Sequence, residues 1–63
     1  MYFEIYSSTG LLNHPSTQWR WRLKAANHET IASGESYYYK ADCLHAIDLV
    51  KSTNANTPVK DLG

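Results

Sequence analysis

The chain has one cysteine, three glycines and two prolines in 63 residues, and its formal charges sum to zero. With Cys43 alone, no disulfide can form within the chain, which excludes the usual covalent staple of very small domains. Three histidines and one cysteine leave few ligands for a structural metal. The glycines are scattered and build neither a dinucleotide fingerprint nor a phosphate loop. Six Lys and Arg against six Asp and Glu argue against bulk electrostatic capture of nucleic acid or an anionic membrane. No apolar run approaches the ~20 residues of a membrane span. The opening Met1-Tyr2-Phe3-Glu4 lacks the basic and apolar regions of a secretion signal. With a lone thiol, this leads us to expect a reducing compartment, most simply the cytoplasm.

What the chain does have is apolar and aromatic: 43% hydrophobic residues and five tyrosines, enough to exclude intrinsic disorder. A domain this short buries only about 60% of the surface its unfolded chain exposes. With disulfides and metals set aside, a partner chain is the remaining common source of stability. We find no internal repeat and no linker, so residues 1–63 are expected to form one domain.

Residues 2–6 alternate, with Phe3 and Ile5 on one side and Tyr2, Glu4 and Tyr6 on the other, the pattern of a strand. Residues 7–17 carry Gly10, Asn13 and Pro15 and are expected to be a loop. Leu11 and Leu12 stand in its middle; they either tuck against the domain or meet something else. Residues 18–25 show the cleanest alternation. Trp19, Trp21, Leu23 and Ala25 share one face, and Gln18, Arg20, Arg22 and Lys24 share the other.

Asn27-His28 is expected as a two-residue turn, although His28 suits the second position less well than Gly. It leads into a third, antiparallel strand over residues 29–33, with Leu23 opposite Ala32 and Ala26 opposite Glu29. A helix follows over residues 40–53. Cys43, Ala46, Ile47 and Val50 form its apolar stripe, flanked by Leu44 and Leu49. Asp42 in the first turn and Lys51 in the last suit the macrodipole. Asn54 fits the exit, and Pro58 prevents continuation. Pro58, Val59, Lys60, Asp61 and Leu62 read as a short last strand, too polar to hold itself down without an edge to join.

Chemistry is sparse. Cys43 lies on the helix's apolar stripe, where core packing is the favoured reading over nucleophilic catalysis. His45, two residues on, is turned about 200° around a helix and points away from it. No histidine or cysteine pair has zinc-type spacing. Glu4 is expected to form a cross-strand ion pair with the basic face of Arg20 and Arg22. No two acids pair in a way that suggests acid–base catalysis. No cofactor is implied.

Two surface features carry alternatives. Arg20, Arg22 and Lys24 share a sheet face with Tyr2 and Tyr6. Basic residues interleaved with aromatics can bind single-stranded nucleic acid, but a solvated face with tyrosines stacked beside arginines is the favoured reading. Tyr37, Tyr38 and Tyr39 precede the helix. One belongs to the core and at least one must point elsewhere, where exposed tyrosine is an anchor for partners.

The segments Tyr2-Phe3-Glu4-Ile5-Tyr6, Trp19-Arg20-Trp21-Arg22-Leu23-Lys24-Ala25-Ala26-Asn27, Ile31-Ala32-Ser33, Tyr37, Lys40-Ala41 and Cys43 together resemble the YegP-like family of small bacterial proteins carrying a domain of unknown function. The resemblance covers nearly the whole chain. It implies an α+β fold, a β-β-β-α-β unit with an antiparallel sheet and one helix. Such units pair, as tandem repeats or homodimers, into one continuous sheet with exchanged C-terminal strands. The single unit here implies the homodimer, with Val59 to Leu62 as the exchanged strand. The loop between the first two strands is longer than is usual in that family, His28 stands where many members have Gly, and Tyr38 and Tyr39 stand where small hydroxyl residues are usual. The resemblance carries no activity and no catalytic residues.

The leading expectation is a non-enzymatic homodimeric module that binds a protein or small ligand, with Leu11, Leu12, Tyr38 and Tyr39 as candidate contacts. A weak single-stranded nucleic-acid binder using Arg20, Arg22 and Lys24 is the alternative. An enzyme with a cleft across two subunits, with His45 or His14 as base, is the third and least supported.

Overall fold

The computed structural model describes residues 1–9 and 17–63. Three strands, β1 (Tyr2–Thr9), β2 (Thr17–Lys24) and β3 (Thr30–Ser33), form an antiparallel sheet in the order β1-β2-β3, and one helix, α1 (Lys40–Lys51), follows. The α+β class and the sheet-plus-helix architecture are as expected.

β1 is longer than the sequence reading, and β2 is shifted by one residue. Thr9 opposes Thr17, so the ladder runs three residues beyond the expected end at Tyr6. Ser7, Ser8 and Thr9 carry no apolar side chain to mark them as strand, but each finds a partner in Trp19, Gln18 and Thr17. Backbone pairing overrides the polar composition. Leu11, Leu12 and His14 lie outside the described residues.

The β2–β3 connection also differs. Leu23 opposes Ala32 as expected, but Lys24 opposes Thr30, which leaves Ile31 as an extra residue in β3, a β-bulge. Ala25, rather than Ala26, therefore meets Glu29, its N–H donating to Glu29 O at 2.8 Å. The His28 N–H donates to Ala25 O at 2.9 Å, and His28 itself has φ of 69°. This is a three-residue loop closed by a left-handed residue, not a two-residue turn. Histidine tolerates that region better than most side chains, and glycine would occupy it freely.

The core lies on one sheet face. Trp21, Cys43 and Ile47 are buried, with Phe3, Ile5, Trp19, Leu23, Tyr37, Ala46 and Val50 packed around them. The expected inward faces of β1, β2 and α1 all take part. The helix crosses β1 and β2 and leaves β3 exposed along its whole length. It ends at Lys51, earlier than the expected Thr53. Ser52 Oγ and Thr53 Oγ1 donate to the carbonyls of Leu49 and Val50 at 2.6 and 2.7 Å. These bonds satisfy carbonyls that the next helical turn would otherwise use.

A turn then replaces the helix. Thr57 N–H donates to Asn54 O at 3.0 Å, Asn54 N–H to Thr57 Oγ1 at 2.9 Å, and Asn56 N–H to Asn54 Oδ1 at 2.7 Å. Beyond it, residues 58–62 form no strand with their own sheet and are exposed throughout. The expected last strand is thus not formed within one chain.

Gly34 meets the core most closely. Its N–H donates to Trp21 O at 3.2 Å, and a Cβ built on it would overlap the pyrrole edge of the Trp21 indole. The indole is rigid and buried, so relief requires moving the core or the chain. We predict that Gly34→Ala destabilises the fold by about 2 kcal/mol, the middle of the range for overpacked cores. Urea titration should show a lower midpoint at unchanged m. An unshifted midpoint would mean the chain moves aside freely at Gly34.

Candidate functional sites on the sheet and the C-terminal segment

The face of the sheet away from α1 is built by even-numbered residues of β1 and β2. Tyr2 opposes Lys24, Glu4 opposes Arg22, and Tyr6 opposes Arg20. The five basic and aromatic residues singled out in the sequence are therefore neighbours. Glu4 stands among them, and Arg22 Nε donates to Glu4 Oε1 at 2.7 Å. The Arg22 guanidinium also lies over the Tyr6 ring, 4.7 Å from its centroid. The expected ion pair and the expected arginine–tyrosine stacking both form, and both use Arg22.

The hydrogen bond from Arg22 holds the Glu4 carboxyl below its ordinary pKa, and the same bond raises that of Arg22. A phosphate arriving at Arg22 would have to compete with a carboxylate already in contact. Arg20 is exposed and Lys24 half-buried. At the hairpin end of this face, the Tyr2 hydroxyl and His28 Nδ1 share a hydrogen bond of 2.7 Å, with their rings edge to face. The left-handed turn brings His28 back over β1; nothing in the spacing of Tyr2 and His28 revealed that contact.

The three tyrosines separate as expected. Tyr37 forms an isolated bridge with Trp19, each N–H donating to the other's carbonyl at 2.8 and 2.7 Å. That bridge turns Tyr37 towards the core. Tyr38 and Tyr39 are 69% and 71% exposed. Tyr39 is the N-cap of α1 in extended conformation and makes no capping hydrogen bond with its side chain. Beside them the Lys40 ammonium lies 5.2 Å from the centroid of the Trp19 ring.

Cys43 is completely buried, and burial pushes its thiol pKa up, the opposite of what a nucleophile needs. His45 is exposed, on another side of the helix. Among the described residues no three metal-binding side chains converge. No helix among them is long and apolar enough to cross a membrane.

Among the described residues the largest apolar exposure is at the C-terminus, where Val59 is 92% and Leu62 94% exposed. Lys60 stands between them, and Asp61 Oδ1 accepts from the Gly63 N–H at 3.0 Å.

The Glu4–Arg22 pair makes stability depend on pH. Glu4's folded pKa lies below its unfolded value, so its contribution is present above the unfolded pKa and lost as pH falls through the folded one. We predict that urea midpoints of the native chain fall on acidification through the carboxylate range. Glu4→Gln should fall less over the same window, and equal slopes would remove Glu4 as a contributor.

Comparison with known proteins places these features in a family. The model of the domain of unknown function DUF1508 matches residues 16–61. A UPF0339 protein of Neisseria meningitidis serogroup B is 56% identical over 62 residues, which cover 98% of this chain and all of that one. A UPF0339 protein of Treponema denticola is 40% identical over 60 residues, 95% of this chain and 93% of its own. One from Agrobacterium fabrum is 38% identical over 60 residues, 95% and 87% of the two chains. The distinctive β2 sequence and the strand–helix order thus have their explanation: the chain belongs to the DUF1508 family of small bacterial proteins of unknown function, with which the YegP-like resemblance agrees.

Proposed function

We propose that the chain works as a non-enzymatic homodimeric module, in a reducing cytoplasm, that binds a protein or small ligand. The observation that carries the dimer is the C-terminal segment, which exposes Val59 and Leu62 almost fully and pairs with no strand of its own sheet. Residues 51–63 are exposed throughout. The resemblance to paired units with exchanged strands supports the same reading.

For the ligand, the support is the pair Tyr38 and Tyr39, large exposed rings held at the start of a helix. Tyrosine in that setting supplies contact area at small entropic cost. Leu11 and Leu12, outside the described residues, remain part of the proposal on their sequence alone.

Light scattering across a dilution series should give a mass near twice 7.2 kDa. A folded monomer at all concentrations would end the dimer reading. Co-purification with Tyr38→Ser/Tyr39→Ser and Leu11→Ser/Leu12→Ser variants tests the ligand surface. It should lose a partner that the native chain retains, and no dependence on either patch would end that reading.

The second reading is weak binding of single-stranded nucleic acid by Arg20, Arg22 and Lys24, favoured by the shared face with Tyr2 and Tyr6. Glu4 at 2.7 Å from Arg22 weighs against it. Fluorescence anisotropy with a labelled oligonucleotide should show binding only at low salt, abolished by Arg20→Glu. Absence of binding at low salt removes the reading.

A further inference from the structure

The zero net charge of the chain is unevenly spread. Arg20, Arg22 and Lys24 stand on the open face of β2, and Glu4 is the single acid in β1 and β2. The other acids, Glu29, Glu35, Asp42, Asp48 and Asp61, all follow β2 in the chain. The open face of these two strands therefore keeps two unbalanced positive charges.

Those charges sit at its ends. Arg22 is bonded to Glu4 at 2.7 Å, whereas Arg20 and Lys24 form no ion pair among the described residues. Residues 10–16, outside the described residues, contain no acid that could pair with them. Arg20 and Lys24 are roughly 13 Å apart along the strand. Tyr6 opposes Arg20 and Tyr2 opposes Lys24, so each end cation has an aromatic neighbour. Between them lies a pair that is neutral as a unit. Its hydrogen bond holds the Glu4 carboxyl below its ordinary range, so the pair stays ionised and balanced at neutral pH.

We propose that Glu4 sets how strongly this face binds single-stranded nucleic acid, by occupying Arg22 and limiting the face to two phosphate contacts, at Arg20 and Lys24. The proposal rests on the second reading above and gives Glu4 its role there. A nucleic-acid backbone crossing the face meets a cation, a balanced pair and a second cation. A tyrosine stands beside each end cation, where a base can stack. A phosphate over the middle gains from Arg22 what it loses to Glu4. Removing the Glu4 charge turns the strip into three successive cations, each roughly 7 Å from the next. An ion pair that served the sheet alone would leave affinity unchanged.

The test is fluorescence anisotropy of a labelled thymidine oligonucleotide over a salt series at constant pH. Each phosphate contact of a single strand adds about −0.7 to the slope of log K against log salt. The native chain should give about −1.4, and Glu4→Gln about −2.1. Over the ~1.5 decades between 1 M and ~30 mM salt, that difference makes Glu4→Gln about tenfold tighter at the low-salt end. Glu4→Gln/Arg22→Gln exchanges one neutral pair for another and should bind as the native chain does. Both side chains are 39% exposed, so the variants should fold, which circular dichroism checks. The native slope needs no variant and stands on its own. A native slope near −2.1, or Glu4→Gln no tighter than the native chain, overturns the role of Glu4 and leaves the nucleic-acid reading standing. Binding by Glu4→Gln alone upholds that role and ends the reading for the native chain. Inorganic polyphosphate should compete less well than unlabelled oligonucleotide, because it offers no bases to Tyr2 and Tyr6; equal competition overturns nucleic acid as the occupant. No binding by either protein at low salt removes the reading and the role together.

Discussion

The seat of Trp21 between the sheet and the helix is the constraint on which the rest of this small domain depends. Its indole is 7% exposed and touches Phe3 edge to face, with ring centroids 5.9 Å apart. Cys43 and Ile47 cover it from α1, and Gly34 closes the remaining side at backbone distance. The indole Nε1 has no acceptor among the described residues, and such an orphan costs about 1–3 kcal/mol. The ring can bear that cost only because it brings the largest apolar area in the core. With three buried hydrophobic residues among the described ones, losing one aromatic, at about 3–5 kcal/mol, would remove a large share of the stability.

The same constraint explains the arrangement around it. Gly34 must come close, so the chain leaves β3 after four residues and returns to β2 only at Tyr37. The helix begins three residues after that bridge and lies over β1 and β2. β3 is left uncovered and short. The edge strand with both length and regularity is β1.

Much of this was legible from side-chain periodicity. Trp19-Arg20-Trp21-Arg22-Leu23-Lys24 displays both faces of β2, and the spacing of Cys43, Ala46, Ile47 and Val50 displays the buried stripe of α1. The ion pair of Glu4 with Arg22 followed from strand register. Features set by the backbone were not legible. Ser7, Ser8 and Thr9 are strand because β2 has groups to pair with them, not because of their own preference. The bulge at Ile31 follows from a left-handed His28, and a sequence containing Asn27 ahead of it suggested a tighter turn. The closeness of Gly34 to Trp21 joins residues whose sequence relation is silent on contact. Residues 58–62 read as a short strand in need of an edge, and the structure leaves them unpaired and exposed.

The turn at residues 54–57 has a further consequence for how the molecule is made. Every pairing in the sheet and every helical bond is local or comes from a hairpin-like return, so one chain can fold to this point quickly and alone. The bonds among Asn54, Asn56 and Thr57 complete with the helix end and fix where the last residues emerge before they have anything to touch. For the proposed dimer, folding is the unimolecular event and pairing the collision, whose rate rises with chain concentration.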